Sequence, residues 1–206
     1  MLFETFAPLR QIPLVTHAFS LRTTEDTRAD DFEARALAAL GFSSNRFVSA
    51  EQTHGNGVAA VFETTGERVP MVDALVTASM NLPLVIRCAD CAAVFIVDQR
   101  TPAIGLIHSG KKGTLANITE NTLTEMTRRF GTDPRDCRAF ISPSIGPCHY
   151  EIDLWSGIES QLRHAGVRDV HNPRVCTACH LDRYFSYRAE KGQTGRMLAI
   201  LALKSP

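Results

Sequence analysis

Between residues 73 and 110 the chain runs DALVTAS, LPLVIRC, CAAVFIVD and AIGLIHSG with only short polar breaks. Each run has strand length and is bounded by turn residues, which predicts a buried β-strand. Strands that follow one another this closely argue against strict β-α-β alternation and for sheets of mixed direction. FVSA, GVAAVF, CRAFIS and MLAILAL read as further strands.

Helical patterns flank this strand-rich middle. In DDFEARALAALG, Asp30 is the expected cap, Glu33 sits at the reciprocal capping position, and Gly41 suits the left-handed terminator. Phe32, Ala36, Leu37 and Leu40 form its apolar face. TLANITENTLTEMTRRFG, directly after SGKKG, carries Leu115, Ile118, Leu123, Met126 and Phe130 along one stripe and ends at Gly131. LWSGIESQLRHAG ends at Gly166, and LDRYFSYRAEK also reads as a helix. The expected class is α/β (α+β), with mixed β-sheets flanked by helices. At 206 residues the chain supports one substantial core, so residues 1–206 are expected to form a single domain.

Charge narrows the function. Lys and Arg number 22 against 22 Asp and Glu, with no block of like charge to attract nucleic acid or an anionic membrane. No window approaches the roughly 20 apolar residues of a membrane span. The best one is broken by Arg87, Asp90 and Asp98. MLFETFAPLRQIPLV lacks the pattern of a secretory leader, which points to the cytoplasm. The six cysteines are then expected as thiols, metal ligands or core residues rather than disulfides.

Within the apolar middle stands CADC, residues 88 to 91. Burying a carboxylate and two thiols costs free energy unless something pairs with them. One reading joins Cys88 and Cys91 with the second CxxC pair, Cys176 and Cys179, as a four-thiolate zinc site. The two pairs stand much farther apart in sequence than the usual zinc knuckles. CTACH also matches the haem-attachment pattern, a coincidence in a chain expected to stay in the cytoplasm. Another reading takes one residue from each of three turns: His54, Cys91 and His108. Two imidazoles and a thiolate suit tetrahedral zinc with one open position. Equally, the two histidines can be hydrogen-bonded turn residues and Cys91 a small buried hydrophobe.

The succession THGNGV, VDALVT, ADCAAVFIVD, IHSGKKGT, ISPSIGPCHYEI and YFSYRAEKGQTGRMLAI resembles, in order, the motifs of the YfiH-like family, also called laccase-domain or multicopper polyphenol oxidases. The resemblance covers about residues 47 to 200. It implies a single α/β domain and a Zn2+ cofactor held by His54, Cys91 and His108. It also implies purine nucleoside chemistry: phosphorolysis of adenosine, inosine or methylthioadenosine, deamination of adenosine, or both. Purine nucleoside and phosphate are then the expected partners, with no nucleic acid or membrane. Asp90 and Lys112 are the expected catalytic residues, and Gln52, Lys112, Arg188 and Arg196 the candidates for substrate and phosphate. For Arg188 and Arg196 an ordinary surface ion pair is an equal alternative.

Two departures bear on the substrate. HSGKKG stands where the family has HAGWRG, giving up a flat stacking surface and a bidentate fork. The family's glycine-rich N-terminal loop has no counterpart in LRTTEDTRADDFEAR. Multicopper chemistry would call for HxH pairs, and histidines 17, 54, 108, 149, 164, 171 and 180 contain none. The runner-up functions are editing of peptidoglycan precursors and non-catalytic redox sensing, the latter through a Cys88–Cys91 disulfide.

Overall fold

The four apolar runs fold as strands, and they divide between two sheets. The computed structural model describes residues 2–29, 31–63 and 68–205. Along the chain the elements are β1 (Phe3–Glu4), α1 (Ala7–Arg10), β2 (Val15–Ser20), α2 (Phe32–Ala39), β3 (Val48–Ser49), β4 (Val58–Ala60), β5 (Ala74–Thr77), β6 (Leu84–Cys88), β7 (Ala92–Asp98) and β8 (Ala103–Ser109). They continue as α3 (Lys111–Leu115), α4 (Ile118–Phe130), β9 (Cys137–Ile141), α5 (Leu154–His164), β10 (Asp169–His171) and β11 (Met197–Leu203). One sheet has the order β1-β2-β11-β6-β3 and the other β10-β9-β7-β8-β5-β4. Both are mixed: β6 pairs antiparallel with β11 and parallel with β3, while in the second sheet β8 pairs antiparallel with β5 and β7, and the edge strands β4 and β10 pair parallel with β5 and β9.

The apolar runs are unbroken because both faces of these strands are covered. Phe95 and Val97 of β7 and Leu106 of β8 pack with Leu84, Ile86, Met197 and Leu201 of the first sheet in one core. The alternate residues Val94, Ile96 and Ile107 pack with Ile118, Leu123 and Met126 of α4 and Ile158 and Leu162 of α5. On the outer face of the first sheet, Val85, Leu198 and Ile200 meet Phe32, Ala36 and Leu37 of α2. A helix layer thus covers each outer sheet face. Each of these large side chains contributes roughly 1.5–3 kcal/mol by burial.

β6 belongs to the first sheet and β7 to the second, so the chain crosses between the sheets within Ala89, Asp90 and Cys91. The CADC motif is this crossing. Cys88 closes β6, fully buried in the core between the sheets, and Cys91 lies just before β7.

Three expectations need correction, and one lies outside the described residues. The helix expected over 114–131 is two helices, broken at Asn117, whose φ of +58° is left-handed. Asparagine tolerates that conformation better than most residues. Leu115 therefore leaves the apolar stripe and is 66% exposed, while Ile118, Leu123 and Met126 are buried as expected. LDRYFSYRAEK forms turns, not a helix. Its adjacent Tyr184 and Phe185 are both buried, and the Arg188 N–H donates to the Asp90 carboxylate instead of a preceding carbonyl. At the start of α2, Glu33 does not cap: it is buried and ion-paired with Arg87. Asp30, the expected cap, falls outside the described residues. Among the described residues no helix is long and apolar enough to cross a membrane.

Candidate metal centre and pocket

Asp73, immediately before β5, organises the site. Its side chain is fully buried and accepts four hydrogen bonds, from Thr53 Oγ1 at 3.2 Å, His54 N at 2.9 Å, Gly55 N at 2.8 Å and His108 Nδ1 at 2.8 Å. Burial opposes its charge, but the bonds from His108 and the loop N–H groups outweigh it and hold the pKa below the usual carboxylate range. One carboxylate thereby fixes both histidine-bearing segments. The His54 loop is drawn back to Asp73 with His54 in a left-handed conformation, φ +62°. His108, within β8, keeps its Nδ1 proton for Asp73 and offers Nε2, the usual arrangement of a metal-binding histidine.

The crossing loop brings Cys91 to the same point. One ligand atom each from His54, Cys91 and His108 lies within 4.8 Å of the others. The two rings stand edge to face, centroids 4.9 Å apart. Gly110 leaves room for the sulfur, since a Cβ there would lie 2.5 Å from Cys91 Sγ. Burial pushes the Cys91 thiol up, yet the imidazoles of His108 and His54 outweigh it and bring its pKa down to about 6. His108 moves the other way: burial disfavours its charge, but Asp73 and Cys91 raise it to about 9. Without an ion the protein's own charges thus favour a thiolate beside a charged imidazole, and a metal binding there would displace the proton from His108 Nε2. Two imidazoles, one fixed by a carboxylate, and a thiolate make a donor set that fits zinc with a vacant corner.

A cleft of about 870 Å³ opens in front of these ligands, within the usual range for small-molecule sites. Lys112 and Arg188 line it, as do Arg68, Arg87 and Lys191. Tyr150 and Tyr187 supply aromatic surface, with Arg188 4.8 Å over the Tyr150 ring and Arg196 5.7 Å over Tyr187. A separate hollow of about 480 Å³ shares no lining residue with this cleft, and Arg22 and Glu190 in its wall pair with each other at 2.7 Å.

The expected substrate residues all border the cleft, but their side chains are differently engaged. Lys112 is exposed and has no ion-pair partner among the described residues. Arg188 pairs with Glu151 at 3.4 Å. Arg196 donates to the carbonyls of Thr194 and Gly195. The Gln52 amide is bonded to the Arg87 backbone, accepting from Arg87 N at 2.8 Å and donating to Arg87 O at 2.6 Å. Asp90 Oδ1 accepts from Thr177 Oγ1 at 2.8 Å and Oδ2 from Arg188 N at 2.7 Å. That carboxylate ties the Arg188 segment to the metal loop.

The four-thiolate grouping does not form. Cys91 joins the histidines, Cys88 packs in the intersheet core with its thiol pushed well up by burial, and Cys176 and Cys179 lie with Cys148 and His149. CTACH likewise contributes its two cysteines, and not His180, to that second group. Sequence reasoning missed Asp73, Tyr150 and Tyr187. For Asp73 a signal was present: like Asp90, it is a lone carboxylate abutting an apolar strand, where only paired charge is tolerated.

A family model described as "Multi-copper polyphenol oxidoreductase laccase" matches residues 19–153 and 149–204. A protein of Deinococcus radiodurans named purine nucleoside phosphorylase is 30% identical, over 95% of this chain and 93% of its own. The crystal structure of YlmD from Geobacillus stearothermophilus superposes with a TM-score of 0.89 at 22% identity, covering 98% of this chain and 99% of that one. The Bacillus licheniformis protein YfiH gives a TM-score of 0.86 at 25% identity over the same shares. Matched along nearly its whole length by that family model, and alike in fold to YfiH and YlmD, the chain belongs to the YfiH-like laccase-domain family.

Proposed function

We propose that this protein is a zinc-dependent purine nucleoside phosphorylase. The observation that carries the reading is the convergence of His54, Cys91 and His108 at the floor of a cleft rich in cations and bordered by two tyrosines. The name of the Deinococcus radiodurans relative supports the same chemistry.

His54, Cys91 and His108 would hold the zinc, which would supply Lewis-acid chemistry. A His2Cys set also suits a single blue copper, but multicopper oxidation needs further histidine clusters. Of the other five histidines, His17 accepts from Phe6 N, His171 bonds Asp169 and His149 lies among three cysteines, while His164 and His180 are exposed and join neither cluster of metal-ligating side chains.

The chain's own residues then bind and orient. Lys112 holds phosphate, with Arg188 completing a doubly charged wall once Glu151 releases it. Arg196 and Gln52 shape the floor: Gln52 fixes the Arg87 backbone, and Arg196 supports Tyr187. Tyr150 and Tyr187 present flat faces for a purine, in place of the tryptophan missing from HSGKKG. Asp90 acts by holding the Arg188 backbone against the metal loop. In the reaction a phosphate oxygen bonds to C1′ of the ribose while the C1′–N bond breaks, and the base leaves with that electron pair. The proton lost by hydrogen phosphate balances the one gained by the base.

Incubation of the purified protein with adenosine, inosine and methylthioadenosine, with and without phosphate, tests this reading. Free base and a ribose 1-phosphate that appear only with phosphate are expected. Inosine and ammonia from adenosine, independent of phosphate, would replace phosphorolysis by deamination at the same site. No turnover of any nucleoside by zinc-loaded protein overturns the reading.

A further inference from the structure

Cys148, His149, Cys176 and Cys179 form a second group whose ligand atoms all lie within 4.8 Å of one another. His149 Nδ1 is 3.3 Å from Cys148 Sγ, 3.6 Å from Cys179 Sγ and 3.8 Å from Cys176 Sγ, and the sulfurs of Cys148 and Cys179 are 3.6 Å apart. Zinc bonds of about 2.3 Å to sulfur and about 2.0–2.1 Å to nitrogen give tetrahedral edges of about 3.8 Å between sulfurs and about 3.6 Å between sulfur and nitrogen. The observed separations match those edges. The four residues come from two connections: Cys148 and His149 follow β9, whereas Cys176 and Cys179, at the two ends of a single 3-10 turn, precede β11.

The surroundings suit a bound thiolate. Gly146 N donates to Cys176 Sγ at 3.3 Å, the kind of N–H···S contact that stabilises a charged sulfur. Gly146 can reach that position because it has no side chain, as a Cβ would lie 2.3 Å from the Trp155 ring. The CxxC turn closes through Cys179 N and Cys176 O at 3.2 Å, and Ser144 bridges to Cys176. Both strands of loop are held in place before any ion arrives.

We propose that these four residues bind a second zinc ion in a closed, structural Cys3His site. Binding replaces the three thiol protons, which pass to solvent, and leaves no coordination position for a reactant. The site clasps the loop after β9 to the segment before β11, both of which border the cleft. Tyr150 follows His149 directly, and Thr177, inside the CxxC turn, holds Asp90. The ion thereby fixes one wall of the catalytic cleft without touching substrate.

Metal analysis of the full chain, purified without a metal-affinity tag, tests this directly. The wild type is expected to carry two zinc ions per chain, Cys91→Ala one, Cys179→Ser one, and the double variant none. Cobalt loaded into Cys91→Ala should show thiolate charge-transfer bands of tetrahedral Cys3His coordination, and adding Cys179→Ser should remove them. Circular dichroism checks that each variant is folded, and the cobalt spectrum keeps the test open should Cys179→Ser lose stability. Wild-type protein with one zinc that Cys91→Ala abolishes entirely would overturn the second site. So would a Cys148–Cys179 disulfide in metal-replete protein, seen as the loss of two hydrogens in the intact mass. Either result leaves the first centre and its nucleoside chemistry untouched.

Discussion

His108 Nδ1 and Asp73 Oδ1 meet at 2.8 Å inside the protein, and the same carboxylate accepts the backbone N–H groups of His54 and Gly55. This single side chain orients the ring of one candidate ligand histidine and the loop path of the other. Asp73→Asn keeps the shape but replaces an acceptor by a donor facing His108. Zinc affinity at the His54–Cys91–His108 centre is expected to fall about 10–100-fold. Competition with a chromogenic chelator measures the change, and wild-type affinity in the variant would refute Asp73's role.

Gly110→Ala probes the space beside Cys91. The added Cβ would meet Cys91 Sγ at 2.5 Å, and Cys91 is held between two imidazoles and cannot simply swing aside. Overpacking of this kind typically costs about 1–3 kcal/mol. Loss of zinc from the first centre and of nucleoside turnover is expected, read by metal content and product formation.

Lys112→Ala removes an exposed cation from the cleft. The apparent Michaelis constant for phosphate is expected to rise by about tenfold, equivalent to about 1.4 kcal/mol. The constant for the nucleoside should stay near its wild-type value. Initial rates with each reactant varied in turn make the comparison, and an unchanged phosphate constant removes Lys112 from the phosphate site.

His17 provides a pH dependence separate from the metal. It is buried in β2 and accepts the Phe6 N–H at Nε2, 2.7 Å away, which requires a neutral ring. Burial, with Arg10 nearby, pushes its pKa down to about 4. The unfolded chain takes up the proton near pH 6.5, so His17's contribution is fully present above that pH and is lost as pH falls toward 4. The loss is on the order of 2–3 kcal/mol by pH 4. His17→Gln lacks this titration, so denaturant midpoints of wild type and variant should converge on acidification. A constant gap from pH 7 to about pH 4.5 would contradict the assignment.

The strands were legible because burial on both faces leaves unbroken apolar runs, as in CAAVFIVD and AIGLIHSG. His54, Cys91 and His108 were nameable as a group, and the fold brings them together, yet spacing alone could not separate candidate ligands from turn histidines and a buried thiol. Convergence depends on which sheet each strand joins, and nothing local to CADC says that β6 and β7 part company there. The helix expected in LDRYFSYRAEK failed for a related reason: distant partners, Asp90 and Glu4, hold Arg188 N and the Tyr184 hydroxyl. Cys148 and His149 went unnoticed as partners of Cys176 and Cys179 because a lone CHY triplet has no period or spacing to mark it.

Although Cys91 ends the three-residue bridge between the sheets, its neighbours place the candidate centre at the strand ends of the second sheet alone. Cys91 stands one residue before β7 and His108 lies in β8, the antiparallel partner of β7, so sulfur and imidazole are carried by one sheet and move together with it. Heating should therefore leave an ion bound there in place until the β7–β8 pairing itself gives way, so that metal loss tracks the melting of that sheet.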